Sequence, residues 1–142
     1  MPMRVHVHAA IWIDDHVVVH RRTTRGREHI TLPGGRVRER EAVLTALERE
    51  VGEETGLDIT VGALCLAGEV HGAAANDLIL VFQAQPRGDV DPERLHLLAP
   101  GSDEADKVRP AVVDLLHSWR AETDWKERAG TVSWIGNLYQ PG

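Results

Sequence analysis

The chain of 142 residues is acidic, with a net charge of −6 at pH 7, and 42% of its residues are hydrophobic. This length fits one domain spanning residues 1–142, and the apolar content suffices for a packed core. The acidic balance argues against a protein that binds duplex nucleic acid, since such proteins are usually basic. A single cysteine, Cys65, excludes an internal disulfide. Because no apolar run near residue 1 is long enough for a signal peptide or a membrane span, we expect a soluble, cytoplasmic protein.

The first part of the chain predicts β-structure. Apolar side chains alternate along residues 4–13 with the period of a strand, and residues 17–22, which begin with three valines after a turn signal at 14–16, predict a second strand. A β-hairpin is therefore expected. The polar stretch 23–29 predicts a loop, and residues 30–35, which end in two glycines, predict a short strand followed by a tight turn.

Residues 41–55 predict the main helix, because they are rich in Ala, Leu and Glu and contain no proline. Gly56 stands where a left-handed residue would end this helix, and Leu57 can pack back on its last turn. Strands and helices follow without regular β-α alternation, which predicts a mixed α/β (α+β) class. The other expected elements are strands at 58–70, 77–85 and 108–113, a turn at 72–76, loops at 86–93 and 98–106, and a helix at 114–120.

The acidic residues of the main helix are concentrated on one edge. At roughly 100° per residue, Glu50, Glu53 and Glu54 fall in or beside the apolar stripe, whereas Glu48 falls on the far side. Carboxylates this close to each other and to a core require arginines, protonation or a divalent cation to compensate them. Clustered carboxylate oxygens are typical of a magnesium site. The alternative is a solvated helix face that is simply rich in glutamate.

A glycine-containing turn, Leu32-Pro33-Gly34-Gly35, precedes this helix. Paired glycines permit close backbone approach, and N–H groups near a helix start can bind phosphate oxygens, so this turn is a candidate wall of a phosphate site. The alternative is an ordinary turn. Turn and helix together resemble the Nudix box, G-x5-E-x7-R-E-U-x-E-E-x-G-U, in which U is a bulky aliphatic residue. The matching positions are Gly35, Glu41, Arg49, Glu50, Val51, Glu53, Glu54, Gly56 and Leu57.

The resemblance implies an α/β/α sandwich with a mixed β-sheet and the hydrolysis of a nucleoside diphosphate linked to another group. It implies Mg²⁺ as cofactor, with Mn²⁺ as a substitute. Carried over by position, Glu53 and Glu54 would be the main metal ligands, and Glu50 a further ligand or the general base. Arg49 would orient Glu50. Further expected positions are the Gly34 carbonyl as a metal ligand, Gly35 at the phosphates, and Glu41, Gly56 and Leu57 as structural residues.

Two candidate regions lie outside the box. Members of the family often take another acid from a downstream loop, for which Glu104 is the candidate and Asp103 the next. The alternative is an exposed acidic loop. The polar stretch after the second strand offers arginines whose planar guanidinium suits phosphate, or which are simply a solvated hairpin tip. These candidates for substrate binding are Arg21, Arg22, Arg25 and Arg27.

The expected substrate is a small nucleotide. The family marker of ADP-ribose hydrolases, a proline about 15 residues after Leu57, is replaced by Gly72 and Ala73. This favours a nucleoside triphosphate or a modified nucleotide, cleaved to the monophosphate and pyrophosphate or a phosphorylated group. The alternatives are an ADP-ribose or nucleotide-sugar hydrolase, and a nucleotide-binding or sensing module without catalysis. Neither a membrane nor duplex nucleic acid is expected as a partner, and a homodimer is an expectation from the family.

Overall fold

A computed structural model describes residues 2–72, 75–99, 101–108 and 133–137. These residues contain one α-helix, two short 3₁₀ turns (Pro92–Arg94 and Asp103–Lys107) and an eight-stranded sheet. The helix and strands are β1 (Met3–Ile13), β2 (His16–Thr24), β3 (Arg27–Thr31), β4 (Gly34–Arg36), α1 (Val43–Thr55), β5 (Ile59–His71), β6 (Asn76–Pro86), β7 (His96–Leu98) and β8 (Ser133–Asn137).

The sheet is mixed, as the sequence predicts. Its strands follow the order β3-β2-β1-β6-β5-β8, with β4 also paired to β1 and β7 to β2. The β1–β6 and β5–β8 pairs are parallel, whereas β1–β2, β1–β4, β2–β3, β2–β7 and β5–β6 are antiparallel. An α+β fold with a mixed sheet and a helix on one face is confirmed. The helix predicted at 114–120 lies outside the described residues, as does the strand at 108–113 apart from Val108, which forms a parallel bridge with Ile30.

The loop predicted at 23–29 is wrong. Here β2 continues to Thr24 and β3 starts at Arg27, so the two strands are joined by a two-residue turn. Both turn residues, Arg25 and Gly26, have positive φ angles of 52° and 75°, as expected for a tight hairpin turn whose twist matches that of the strands. The side chains of Thr23, Arg25, Arg27 and Glu28 are exposed, so no apolar alternation marks this tip in the sequence.

Two other predictions need correction. The sequence predicts a short strand and then a tight turn over residues 30–35, but β3 ends at Thr31 and the two glycines begin a separate strand, β4, which pairs with β1. The downstream loops at 86–93 and 98–106 contain the two 3₁₀ turns, and the three-residue strand β7 precedes the second of them. These elements are too short to show a period in the sequence.

Helix α1 starts two residues later than predicted and ends as predicted. Gly56 has a φ angle of 74°, and its N–H donates to the carbonyl oxygen of Gly52 over 3.0 Å, which confirms the left-handed end. The buried face of α1 packs on β1, and burying each large apolar side chain contributes roughly 1.5–3 kcal/mol. This apolar cluster comprises Ala46, Leu47 and Val51 of α1, Val7, Ala9 and Ile11 of β1, and Val18, Ile59 and Ala84, with Leu57 packed against it.

The two faces of the sheet carry different clusters, because successive residues of a strand point to opposite faces. On β2, Val18 belongs to the cluster under α1, whereas Val17 and Val19 belong to the cluster on the other face. By the same alternation Arg22 lies on the helix side of β2 and Arg21 on the other side. Within the described residues, no helix is long and apolar enough to cross a membrane.

Candidate active site

Glu54 lies at the end of α1, against the glycine pair. Its side chain is only 8% exposed, and its Oε2 accepts a hydrogen bond of 3.1 Å from the Gly34 N–H. Its Oε1 is paired with the Arg22 guanidinium, which also donates to the Gly34 carbonyl oxygen over 2.7 Å. Burial raises the pKa of the Glu54 carboxyl, while the Gly34 N–H and Arg22 act in the opposite direction. A buried carboxylate and a backbone carbonyl oxygen thus share one cationic partner.

Arg49 connects the other acids of the helix. Its Nε and Nη2 donate to the two carboxylate oxygens of Glu41, and its Nη1 donates to Glu50 Oε1 over 2.8 Å. Glu53 Oε2 lies 3.7 Å from the same Nη1. The arginine therefore lies between Glu41, Glu50 and Glu53, and its hydrogen bond restrains the direction of the Glu50 carboxylate.

The glycine pair makes room for these groups. A Cβ atom at Gly35 would lie 2.7 Å from Glu50 Cδ and 2.9 Å from each of its carboxylate oxygens, so Glu50 rests directly on the backbone of β4. At Gly34, a Cβ would lie 2.1 Å from the Val7 carbonyl oxygen, and the φ angle of 147° is itself unfavourable for other residues. The missing side chain at Gly35 leaves room for the Glu50 carboxylate, whereas glycine at position 34 is required by its φ angle and by the close Val7 carbonyl oxygen.

The helix edge separates into buried and exposed acids. The side chains of Glu50 and Glu54 are 18% and 8% exposed, whereas that of Glu53 is 59% exposed. Glu48 is exposed as well. The sequence allows arginines, protonation or a divalent cation to compensate these carboxylates. In the structure arginines do so: Arg22 pairs with Glu54, and Arg49 lies beside Glu50 and Glu53.

The donors fit a hard divalent cation by their chemistry. Carboxylate oxygens and a backbone carbonyl are the ligands that Mg²⁺ and Mn²⁺ take in proteins. Such oxygens lie along β4: the Glu50 carboxylate lies in the space left by Gly35, and the buried Glu54 carboxylate lies beside the backbone of Gly34. Among the described residues, no three His, Cys, Asp or Glu side chains already lie close enough together to hold a metal ion.

Glu104, the candidate acid from the downstream region, is held by Arg21. It lies in the 3₁₀ turn Asp103–Lys107, and its Oε2 accepts a hydrogen bond from Arg21 Nη2. Arg21 also pairs with Glu28 and donates to His96 Nδ1 over 2.9 Å. Arg21 precedes Arg22 on β2 but faces the other side of the sheet. Among the described contacts, Glu104 therefore pairs with Arg21 and not with the residues around Glu54.

The four arginines predicted to bind substrate do not form one cluster in the structure. Arg21 and Arg22 are each engaged with a carboxylate. Arg25 lies in the hairpin turn and Arg27 begins β3, and both are exposed. At about 3.3 Å per residue, the turn lies about 10 Å beyond Arg22 along the strand.

Two arginines that sequence reasoning missed lie inside the box, in the five-residue segment between Gly35 and Glu41. A cavity of about 370 Å³ is lined by Arg36, Val37, Arg38, Glu39 and Glu50. Arg36 and Arg38 are exposed, and no ion pair of either guanidinium is found in the described part of the chain. The signal that marks them is the alternation of arginine directly after the glycine pair in Gly35-Arg36-Val37-Arg38.

Comparisons with known proteins place this geometry in context. A family model described as NUDIX domain matches residues 2–134, while a comparison with curated proteins found no match. A NUDIX hydrolase from Nitrosomonas europaea superposes with a TM-score of 0.71 at 19% identity, covering 94% of this chain and 79% of that chain.

Two further solved structures are similar to this chain. A MutT NUDIX hydrolase from Burkholderia pseudomallei is 30% identical, with a TM-score of 0.54 and coverage of 69% of this chain and 82% of that chain. An ADP-ribose pyrophosphatase from Streptococcus suis is 16% identical, with a TM-score of 0.58 and coverage of 94% and 98%.

Proposed function

Since this chain belongs to the NUDIX domain family, we propose that it is a divalent-metal-dependent pyrophosphohydrolase of small nucleotides. The observation that carries the proposal is the position of Glu54. The Glu54 carboxylate is 8% exposed and lies beside the Gly34 carbonyl oxygen, and removing it from water costs free energy even though Arg22 pairs with it. This position is explained if the Glu54 carboxylate and the Gly34 carbonyl oxygen bind a metal cation.

Mg²⁺, or Mn²⁺ as a substitute, would be held by Glu53, Glu54 and the Gly34 carbonyl, with Glu50 as a further ligand or the general base. Glu104 is paired with Arg21, on the other side of β2 from Arg22, and would have to leave that partner to act as a further acidic ligand. When bound, such an ion neutralises charge on the phosphoanhydride and lowers the pKa of a bound water. Glu53 is the most exposed of the three helix acids, so it can turn towards the ion without leaving a packed site.

The chain's own residues then position the reaction. Glu50 is our candidate for accepting the proton of the attacking water, since Arg49 and the open backbone of Gly35 fix the direction of its carboxylate. Arg36 and Arg38 line the cavity next to Glu50 and can bind phosphate oxygens of the substrate. Metal ligands and phosphate-binding arginines would thus lie on two sides of Glu50.

We infer a nucleoside triphosphate or a modified nucleotide as substrate, with a nucleoside monophosphate and pyrophosphate, or a phosphorylated group, as products. The absence of the ADP-ribose marker at Gly72 and Ala73 supports this choice. The names of the similar solved structures include a MutT NUDIX hydrolase and an ADP-ribose pyrophosphatase. A nucleotide sugar or ADP-ribose is the alternative that a substrate panel must separate.

The test is a panel of nucleoside triphosphates, modified nucleotides, nucleotide sugars and ADP-ribose, with Mg²⁺ or Mn²⁺, scored by released phosphate or pyrophosphate. The wild type should hydrolyse at least one class, and Glu53→Gln and Glu54→Gln should be strongly impaired. Nucleotide binding with metal but without turnover would favour a sensing module instead. A cytoplasmic location and a homodimer stay predictions, and light scattering after size exclusion tests the latter.

A further inference from the structure

A single nitrogen of Arg22 contacts both oxygens that the proposed function assigns to a metal at this position. Arg22 Nη2 donates to Glu54 Oε1 and to the Gly34 carbonyl oxygen, the latter over 2.7 Å. Both oxygens therefore direct lone pairs at the same point. A guanidinium nitrogen occupies that point in this structure.

We propose that Arg22 is a built-in counter-cation that competes with the divalent ion for Glu54 and Gly34. The inference rests on the proposed function for the identity of the ion. One point between two oxygens holds one cation, and a guanidinium within a few Å of a divalent ion is strongly repelled. Binding of the ion releases Arg22, whose guanidinium is then available for a substrate phosphate.

The surroundings allow Arg22 to leave while Glu54 stays. The Arg22 side chain is 41% exposed, so the released guanidinium can be solvated. Glu54 is 8% exposed, but the Gly34 N–H holds its other oxygen independently of Arg22. The carboxylate therefore keeps its direction when the partner changes, and an ion replaces the charge that Arg22 supplied.

Arg49 differs from Arg22 in each of these respects. Its side chain is 18% exposed, and it binds Glu41 through two nitrogens while a third contacts Glu50. Such a fork is held by several bonds at once. We therefore infer that a divalent ion replaces Arg22 at Glu54, whereas Arg49 stays bound and orients Glu50.

The experiment measures Mn²⁺ binding without nucleotide, by the loss of the electron paramagnetic resonance signal of free Mn²⁺. Compared are the wild type, Arg22→Ala and Arg87→Ala, which removes the same charge from an exposed position. If Arg22 occupies the site for most of the time, its removal lowers the Kd for Mn²⁺ by about threefold to tenfold. Arg87→Ala should leave the Kd unchanged.

Salt separates competition from a general charge effect. Direct competition persists in about 0.5 M KCl, whereas a long-range effect of removing one positive charge is largely screened there. An Arg22→Ala Kd equal to or weaker than that of the wild type overturns the proposal, as does a gain that disappears in salt. Arg22→Gln, which keeps hydrogen-bonding capacity without charge, should also tighten Mn²⁺ binding and guards against a folding defect of the alanine variant.

Two further arms complete the test. With Mn²⁺ saturating, inorganic pyrophosphate should bind Arg22→Ala more weakly than the wild type, and equal binding would contradict the release of Arg22 to phosphate. Glu54→Gln should weaken Mn²⁺ binding both in the otherwise wild-type protein and in combination with Arg22→Ala. If Glu54→Gln binds Mn²⁺ like the wild type, the metal assignment of the proposed function fails; if only the gain in Arg22→Ala is missing, the competition alone fails.

Discussion

Arg49 and Glu41 form a two-point ion pair, in which Nε and Nη2 lie 2.8 Å and 2.9 Å from the two carboxylate oxygens. Glu41 precedes α1, and its Oε1 also accepts a hydrogen bond from the Arg38 N–H. The pair therefore fixes the arginine that contacts Glu50 on its other side. Glu41, which the family resemblance implies is a structural residue, thus acts on the candidate base through Arg49.

This pairing predicts a specific dependence of stability on pH. The hydrogen bond from Arg49 lowers the pKa of Glu41 to about 2, whereas a glutamate in the unfolded chain has a pKa of about 4.3. Between these values the unfolded state binds more protons, so the contribution of Glu41 to stability is complete above about pH 4.3 and is lost as the pH falls towards 2. Glu41→Gln should lower the urea midpoint at neutral pH.

The comparison with the wild type should be made by urea unfolding from about pH 6 to about pH 3. The difference between the two midpoints should be constant above about pH 5 and shrink below about pH 4. A difference that does not change over this range would show that Glu41 contributes by packing and not through its charge.

The two neighbouring glycines should respond differently to alanine. In Gly35→Ala the new Cβ displaces only the end of the flexible Glu50 side chain, so the fold should persist while activity falls. In Gly34→Ala the Cβ would meet backbone, namely the Val7 carbonyl oxygen and His8 Cα, so the free energy of unfolding should fall steeply. Circular dichroism melts and initial rates measure the two effects.

Gly52→Ala is the matched control within the helix. Its Cβ has space, with the Leu57 carbonyl oxygen at 3.9 Å as the nearest atom beyond the helix backbone. Alanine in a helix interior should stabilise the protein by roughly 0.5–1 kcal/mol and leave the rate unchanged. If Gly35→Ala retained the wild-type rate, the position of Glu50 would not matter for catalysis.

Magnesium should stabilise the folded protein through Glu54. At a free concentration about ten times the Kd, an ion that binds only the folded state adds about 1.4 kcal/mol to the free energy of unfolding. Glu54→Gln should lose this gain, because an amide oxygen is a much weaker ligand than a carboxylate. Thermal melts with Mg²⁺, and with chelator as the metal-free reference, measure this stabilisation in the wild type and in Glu54→Gln. Equal stabilisation of both proteins by Mg²⁺ argues against Glu54 as a ligand.

The helix and its acidic edge could be predicted because both depend on local periodicity. Residues 43–55 show the apolar stripe, and the angular positions of Glu50, Glu54 and Glu48 agree with their burial. The partners of these acids could not be predicted in the same way. The Arg22–Glu54 pair joins positions 32 residues apart, and the Arg21–Glu104 pair joins positions 83 apart.

Such pairs depend on strand register and on which face of β2 each arginine occupies, and these follow from tertiary packing. The hairpin tip was missed for a related reason. Polar residues on exposed strands carry no apolar alternation, so residues 23–29 read as a loop although Arg25 and Gly26 alone form the turn. The cavity beside Arg36 and Arg38 likewise exists only once β4 has paired with β1.

The most direct test of the central claim compares two glutamates of the same helix. Glu54 is buried at the glycine pair and Glu48 is exposed on the far side, so Glu54→Gln and Glu48→Gln make the same chemical change in different environments. With Mg²⁺ and the best substrate of the panel, kcat/KM should fall at least about 100-fold in Glu54→Gln and stay near the wild-type value in Glu48→Gln. Equal rates for the two variants would contradict a metal-dependent hydrolase centred on Glu54.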